Sequence, residues 1–209
     1  MTPDQPEDRG LHFWATLRQD LVAYTGPGPR PWSLPFFLAV LRAAQGSPAL
    51  IAVVVYRYGQ WLNYQFHVPV LRQLLKVGYF FLYNLTRLSL QVEIDIPARI
   101  GPGLRIFHFS GTFVNGGFVA GRNLTIGQGV LIGNDAAGRT PRVGDDVVLN
   151  AGAKLIGDVV LGDRVVVGAG AVVVHSYGDD VVLGGVPARP LRSSAERQAD
   201  RARLSVSSG

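Results

Sequence analysis

The chain of 209 residues contains no cysteine and one methionine. Without cysteine there is no disulfide framework, no thiolate metal site and no cysteine nucleophile. Charge is sparse at 17% of residues, whereas 47% are hydrophobic. That balance builds a core and is unlike the composition of disordered chains. Long apolar runs are missing: residues 49–56 and 77–83 fall well short of the ~20 needed to cross a bilayer. The stretch Met1 to Gly10 is polar and acidic, without the apolar core of a secretory signal. A cytoplasmic protein is the expectation. No basic run or aromatic-interleaved patch is present, so no nucleic-acid partner is expected.

The net charge of +5 is unevenly placed. Residues 1–92 carry eight Lys/Arg against four Asp/Glu, residues 93–189 eight against nine, and the last twenty four against two. Most of this reads as ordinary solvated charge. The sharper alternative is contact with an acidic surface, through phosphates or peripheral association with anionic lipid.

Glycine is abundant, at 26 of 209 residues, and nineteen of these lie within 93–189. The chain therefore changes character near residue 92. The first part reads helical. Ser33-Leu34-Pro35 introduces a helix over 36–44 closed by Gly46, Ser47-Pro48 introduces one over 49–66, and Pro69 opens one over 70–90. A weaker helical stretch covers 11–24. Gly26-Pro27-Gly28-Pro29-Arg30-Pro31 reads as a linker. These helices are apolar around much of their circumference, so they pack on each other, on the second part or on another subunit. The expected organisation is a helical domain over 1–92, a second domain over 93–190 and a polar tail over 191–209.

The second domain repeats with a period of six. Aliphatic residues stand at Val143, Leu149, Leu155, Leu161, Val167 and Val173, and upstream at Val114, Ala120, Ile126 and Ile132, with Ile100 and Ile106 as a further pair. Glycine often follows the aliphatic position. Six residues are too few for a helical repeat and fit a β-solenoid, in which each hexapeptide is one short strand and one corner. Glycine or asparagine at the corner tolerates backbone angles that a Cβ resists. Two slips break the period. One contains His108-Phe109-Ser110-Gly111, the other Asn134 through Thr140. Loops carried on a rigid scaffold are where chemistry is commonly placed.

Glu93-Ile94-Asp95-Ile96-Pro97-Ala98-Arg99-Ile100-Gly101, then Phe107-His108, then Ile132-Gly133-Asn134, Asn150-Ala151-Gly152-Ala153-Lys154, Gly168-Ala169-Gly170 and Gly184-Gly185-Val186-Pro187-Ala188-Arg189 together resemble the serine acetyltransferase family. More weakly, Leu17-Arg18-Gln19-Asp20 and the run from Tyr56 to Leu62 are similar to that family's helical leader. The resemblance implies an α+β protein, with a helical N-terminal domain followed by a left-handed parallel β-helix. It implies acetyl-CoA as donor, no metal, and a homotrimer with active sites between prisms, open to pairing into a dimer of trimers. Catalysis would fall to His108, with Glu93 as its carboxylate partner. Such a pair suits the chemistry, because a histidine can take the proton of an attacking alcohol and a carboxylate can steady the imidazolium. Asn134 or a backbone amide would stabilise the oxyanion. Gly133, Asn134, Ala151 and Ala169 would line the donor groove, with Lys154 and Arg189 at its phosphates.

Departures from the family pattern fall on the acceptor side, at Phe107, Arg139 and Thr140. Phe107 stands where the family has an aspartate before the catalytic histidine. Thr140 stands where it has a histidine, while the preceding Arg139 matches. With charge partners removed, a pocket rejects a zwitterion. The expectation is therefore an O-acetyltransferase acting on a sugar or other non-serine hydroxyl, nearest to the exopolysaccharide and capsule members and working in polysaccharide biosynthesis. Serine O-acetylation and a non-catalytic β-helix scaffold are the alternatives. A β-helix carbonic anhydrase is disfavoured, since its zinc needs three histidines and only His108 and His175 lie in the repeat.

Overall fold

A computed structural model of the chain describes residues 13–26, 30 and 32–192. The expectations for Met1 to Gly10, for most of the Gly26–Pro31 linker and for the tail from 193 onward lie outside the described residues.

Four helices precede the strands: α1 (Phe13–Thr25), α2 (Leu34–Gly46), α3 (Ala49–Tyr64) and α4 (Pro69–Leu90). Ser33 caps α2 through its side chain, accepting from the Phe36 amide at 3.4 Å, with Pro35 in the first turn. Ser47, expected to cap α3, does not. Pro48 occupies that position, and the Ser47 hydroxyl instead donates to the carbonyl of Ile106 at 3.4 Å. A tertiary acceptor has outcompeted the local one.

Parallel strands then wind into a solenoid with three faces. The first face is β1 (Val92–Ile94), β4 (Thr112–Val114), β7 (Leu131–Gly133), β10 (Lys154–Ile156) and β13 (Val172–Val173). The second is β2 (Arg99–Ile100), β5 (Val119–Ala120), β8 (Arg142–Val143) and β11 (Val160–Leu161). The third is β3 (Arg105–Ile106), β6 (Thr125–Ile126), β9 (Val148–Leu149), β12 (Val166–Val167) and β14 (Val182–Gly184), closed by the antiparallel β15 (Arg189–Arg192). In register, Phe113 lies on Glu93, Leu131 on Phe113, Lys154 on Leu131 and Val172 on Lys154, so successive coils are 20, 18, 23 and 18 residues long. Eighteen is three hexapeptides. The two extra residues of the first coil and the five of the third are the two period slips, and both leave the solenoid as corner loops.

The in-phase aliphatics point inward as expected. Ile94, Ile100, Ile106, Val114, Ile126, Ile132, Leu149, Leu155, Val167 and Val173 are all buried, each worth roughly 1.5–3 kcal/mol of transfer free energy. Glycine is obligatory where coils touch at the corner. A Cβ on Gly144 would collide with the Asp163 carboxylate, which accepts the Asp145 amide at 2.8 Å.

The helices close the open edge of the first coil. An uncovered strand edge invites pairing with other chains, and here side chains satisfy it. Tyr56 donates to the Ala98 carbonyl at 2.6 Å, and Tyr24 accepts the Ile106 amide at 2.8 Å. Asp20 accepts the amides of Gly103 and Leu104 at 2.8 Å each. Arg57 donates to the carbonyls of Ile100 and Gly101 at 2.8 Å each. Asp20 and Arg57 pair at 2.7 Å with essentially no exposure. Ala49, Ala52, Val53 and Tyr56 of α3 share one core with the solenoid.

Burial raises the hydroxyl pKa of Tyr24, Tyr56 and Tyr79 well above the ordinary tyrosine value, and pushes Tyr83 up to about 12, with the nearby Glu93 adding to the shift. A folded-state pKa above the unfolded one means stability that is complete below the unfolded value of ~10 and lost as pH rises beyond it. The urea midpoint is expected to hold from pH 7 to 9 and fall steadily above pH ~10. A flat midpoint to pH 11.5 would contradict the burial of these hydroxyls.

The helix α4 buries only Tyr79 and Thr86. Its opposite face exposes Val70, Leu74, Val77, Phe81, Leu85 and Leu88, at steps of three and four that make one stripe. Among the described residues no single helix is long and apolar enough to cross a membrane.

Candidate functional site

The corner between the third and first faces carries the site. In the upper coils this corner is short, and its turns stack directly. The Gly129 amide donates to the Ser110 carbonyl at 2.9 Å, Gly152 to Gln128 at 2.8 Å and Gly170 to Ala151 at 2.9 Å. Gln128, Ala151 and Ala169 thus form an exposed column rising above the wider first-coil corner. In that corner His108 and Ser110 adopt left-handed backbone angles, with φ of 60° and 111°. Non-glycine residues held so are uncommon, and they cluster at functional sites.

His108 lines a pocket of about 210 Å³. Phe107 joins it from the corner, Thr125 and Val148 from the third face, and Gln128, Asn150 and Ala151 from the corners above. No hydrogen bond from another described side chain engages its imidazole. It is therefore an open base beside a strip of small residues, and a thioester carried along that strip would meet it.

Glu93 does not complete a dyad within the chain. It sits on the first face, where its carboxylate accepts the Tyr83 hydroxyl at 3.2 Å and faces Arg87 at 3.9 Å. No hydrogen bond or ion pair joins it to His108. Its strand neighbours Val92 and Ile94 turn inward, so Glu93 turns out under α4. Asp95 is likewise committed, accepting the Gly116 amide at 2.9 Å.

The other expected site residues lie at the far corner of the first face. Gly133 ends β7, and Asn134 opens the third-coil loop, donating to the Asp135 carbonyl at 2.9 Å. Asp135 organises this loop, accepting the amides of Ala137 and Arg139 at 2.9 Å and the Arg139 guanidinium at 2.7 Å. Hydrogen bonds from Arg139, led by its backbone amide, hold the Asp135 carboxyl below its usual range. Thr140 donates to the Gly117 carbonyl at 2.7 Å and so serves the backbone. Lys154 is exposed on the first face between the two corners, and Arg189 lies in the terminal hairpin. One chain thus unites His108, Phe107, Ala151 and Ala169, and keeps Gly133, Asn134, Arg139 and Thr140 apart from them. Gln128, Thr125 and Asn150 escaped sequence reasoning. The outward phase of Thr125 and the corner phase of Gln128 and Asn150 could have revealed them. Among the described residues no cluster of three potential metal ligands exists.

The strand order and the six-residue period together define a hexapeptide-repeat β-helix. Residues 140–175 match the bacterial transferase hexapeptide (six repeats). The chain is 35% identical over 153 residues to a serine acetyltransferase of Synechococcus elongatus, covering 72% of this chain and 59% of that one. It is similar to the crystal structure of Neisseria gonorrhoeae serine acetyltransferase in complex with serine, with TM-score 0.67 and 28% identity over 85% of this chain and 68% of that one. A serine acetyltransferase solved in complex with CoA gives TM-score 0.67 and 26% identity, over 86% and 69%. The chain is thus similar to serine acetyltransferases, and spans about three fifths of the curated relative's length.

These relatives overturn the expected sugar acceptor. They are named for serine, and none points to the exopolysaccharide or capsule members. In the sequence Phe107 and Thr140 read as the loss of serine's partners. Similarity to proteins named for serine outweighs those two positions.

Proposed function

We propose that the chain is a serine O-acetyltransferase using acetyl-CoA. The observation carrying this is an exposed histidine on a widened solenoid corner, beside a column of small residues, in a chain similar to serine acetyltransferases. His108 takes the proton of the serine hydroxyl as its oxygen attacks the thioester carbonyl. The tetrahedral intermediate collapses, the carbon–sulfur bond breaks, and the imidazolium returns the proton to the leaving thiolate. CoA lies along Ala151 and Ala169, with Lys154 and Arg189 toward its phosphates. The two groups of site residues stand at opposite corners of one face, and a homotrimer with shared sites would bring them together. We keep the division into a helical part, 1–92, and a catalytic part, 93–190.

Thiol release from acetyl-CoA against serine, free sugars and nucleotide sugars tests the reading. Serine is expected to be the productive acceptor, and turnover confined to sugars would overturn it. Ala151→Phe is expected to raise the KM for acetyl-CoA about tenfold or more, the scale of ~1.4 kcal/mol of lost binding, with that for serine less affected. An unchanged acetyl-CoA KM would move the donor site elsewhere.

A further inference from the structure

We propose that the outer face of α4 docks on an anionic lipid surface. The helix meets the rest of the protein through Tyr79 and Thr86, its two buried residues. Nearly opposite stand Val70, Leu74, Val77, Phe81, Leu85 and Leu88, exposed by 58% at Val77 to 76% at Val70. At about 100° per residue these six fall within an arc of about 80°. Leu71, Phe80 and Leu82 widen it and are exposed as well. A contiguous apolar patch of this kind marks a contact with a partner or a lipid rather than with water. The row from Val70 to Leu88 is about 27 Å long at a rise of ~1.5 Å per residue. No single described helix is apolar enough to cross a bilayer, so α4 would lie in the plane of the lipid surface, with its stripe sunk among the acyl chains.

Charge names the partner. From Leu21 to Val92 the chain carries six Lys/Arg, namely Arg30, Arg42, Arg57, Arg72, Lys76 and Arg87, and no Asp or Glu. Arg57 is buried against Asp20, and Arg72 donates to the carbonyls of Leu62 and Asn63. Lys76 and Arg87 remain. They share one edge of the stripe beside Phe80, eleven residues or about three turns apart. The Arg87 side chain is 45% exposed and reaches Glu93 only at 3.9 Å. Cations bordering an apolar helix face can rest their stems on it and hold their charged ends at lipid phosphates. No carboxylate on the helix repels those phosphates. A second copy of the chain fits this face less well. A two-fold contact along the stripe would gather Lys76 and Arg87 with their own copies, and neither helix offers a carboxylate to offset them.

The test is flotation of the purified 209-residue chain with vesicles of phosphatidylcholine alone, or with about 30% phosphatidylglycerol. Wild type is expected to bind the anionic vesicles about tenfold more tightly or better, and to lose most of that preference in ~0.5 M salt. Phe81→Ser/Leu85→Ser should cut binding to anionic vesicles by about tenfold or more. Its melting temperature should stay unchanged, because both side chains are exposed. Lys76→Gln/Arg87→Gln should weaken anionic binding by roughly 10- to 30-fold and leave binding to neutral vesicles alone. Equal binding to both vesicle types, no binding to either, or anionic binding that either double variant leaves intact overturns the proposal. A lipid-free wild type whose mass by light scattering drops to a smaller oligomer in Phe81→Ser/Leu85→Ser also overturns it, and gives the face to a second copy.

Discussion

His108→Ala is expected to lower the turnover number by about 100-fold or more, the usual scale for a lost general base. The fold and CoA binding should survive. His108 is exposed, lies outside the aliphatic ladder, and makes no side-chain hydrogen bond that its removal would break. Alanine in its left-handed backbone, at φ 60°, costs on the order of 1 kcal/mol, too little to unfold the solenoid. Serine-dependent thiol release, run beside a thermal melt, separates the effects. A variant with most of its activity would remove His108 from the chemistry. Glu93→Gln, by contrast, should leave turnover within a few fold, since Glu93 meets Tyr83 and Arg87 rather than the imidazole.

Asp20→Ala should produce the largest loss of stability, roughly 3–5 kcal/mol, as expected for an uncompensated buried charge. The substitution strands the Arg57 guanidinium and leaves the Gly103 and Leu104 amides without their acceptor. For a chain of this size that corresponds to a melting temperature lower by about 6–20 °C. Asp20→Ala/Arg57→Ala should recover part of the loss, because the orphaned charge goes with it. A single-variant shift under about 2 °C would mean that this pair does not hold the helices to the first coil.

The solenoid was legible because its cause is local and repeated. One aliphatic per hexapeptide fills one position of one ladder, and a slip in phase must leave the coil. The helices were legible from Pro35, Pro48 and Pro69 for the same local reason. The clamp between Asp20 and Arg57 was not, since it joins positions 37 apart and serves backbone groups of a third segment. Within one chain Glu93 does not pair with His108. Fifteen residues is short of a full coil, and the inward turn of Val92 and Ile94 commits Glu93 to the first face. The acceptor was misread because missing partners at Phe107 and Thr140 were weighed singly. Recognition is a property of the whole pocket, which no single position reports.

The capped first coil also has a mechanical consequence. Every later coil rests only on its neighbours, whereas the first is bolted to α1, α3 and the α2–α3 link through seven backbone groups. Under tension applied at the two termini, rupture should start at the far hairpin of β14 and β15 and travel coil by coil toward the helices. The histidine corner, lying between the first and second coils, would be the last part of the spring to open.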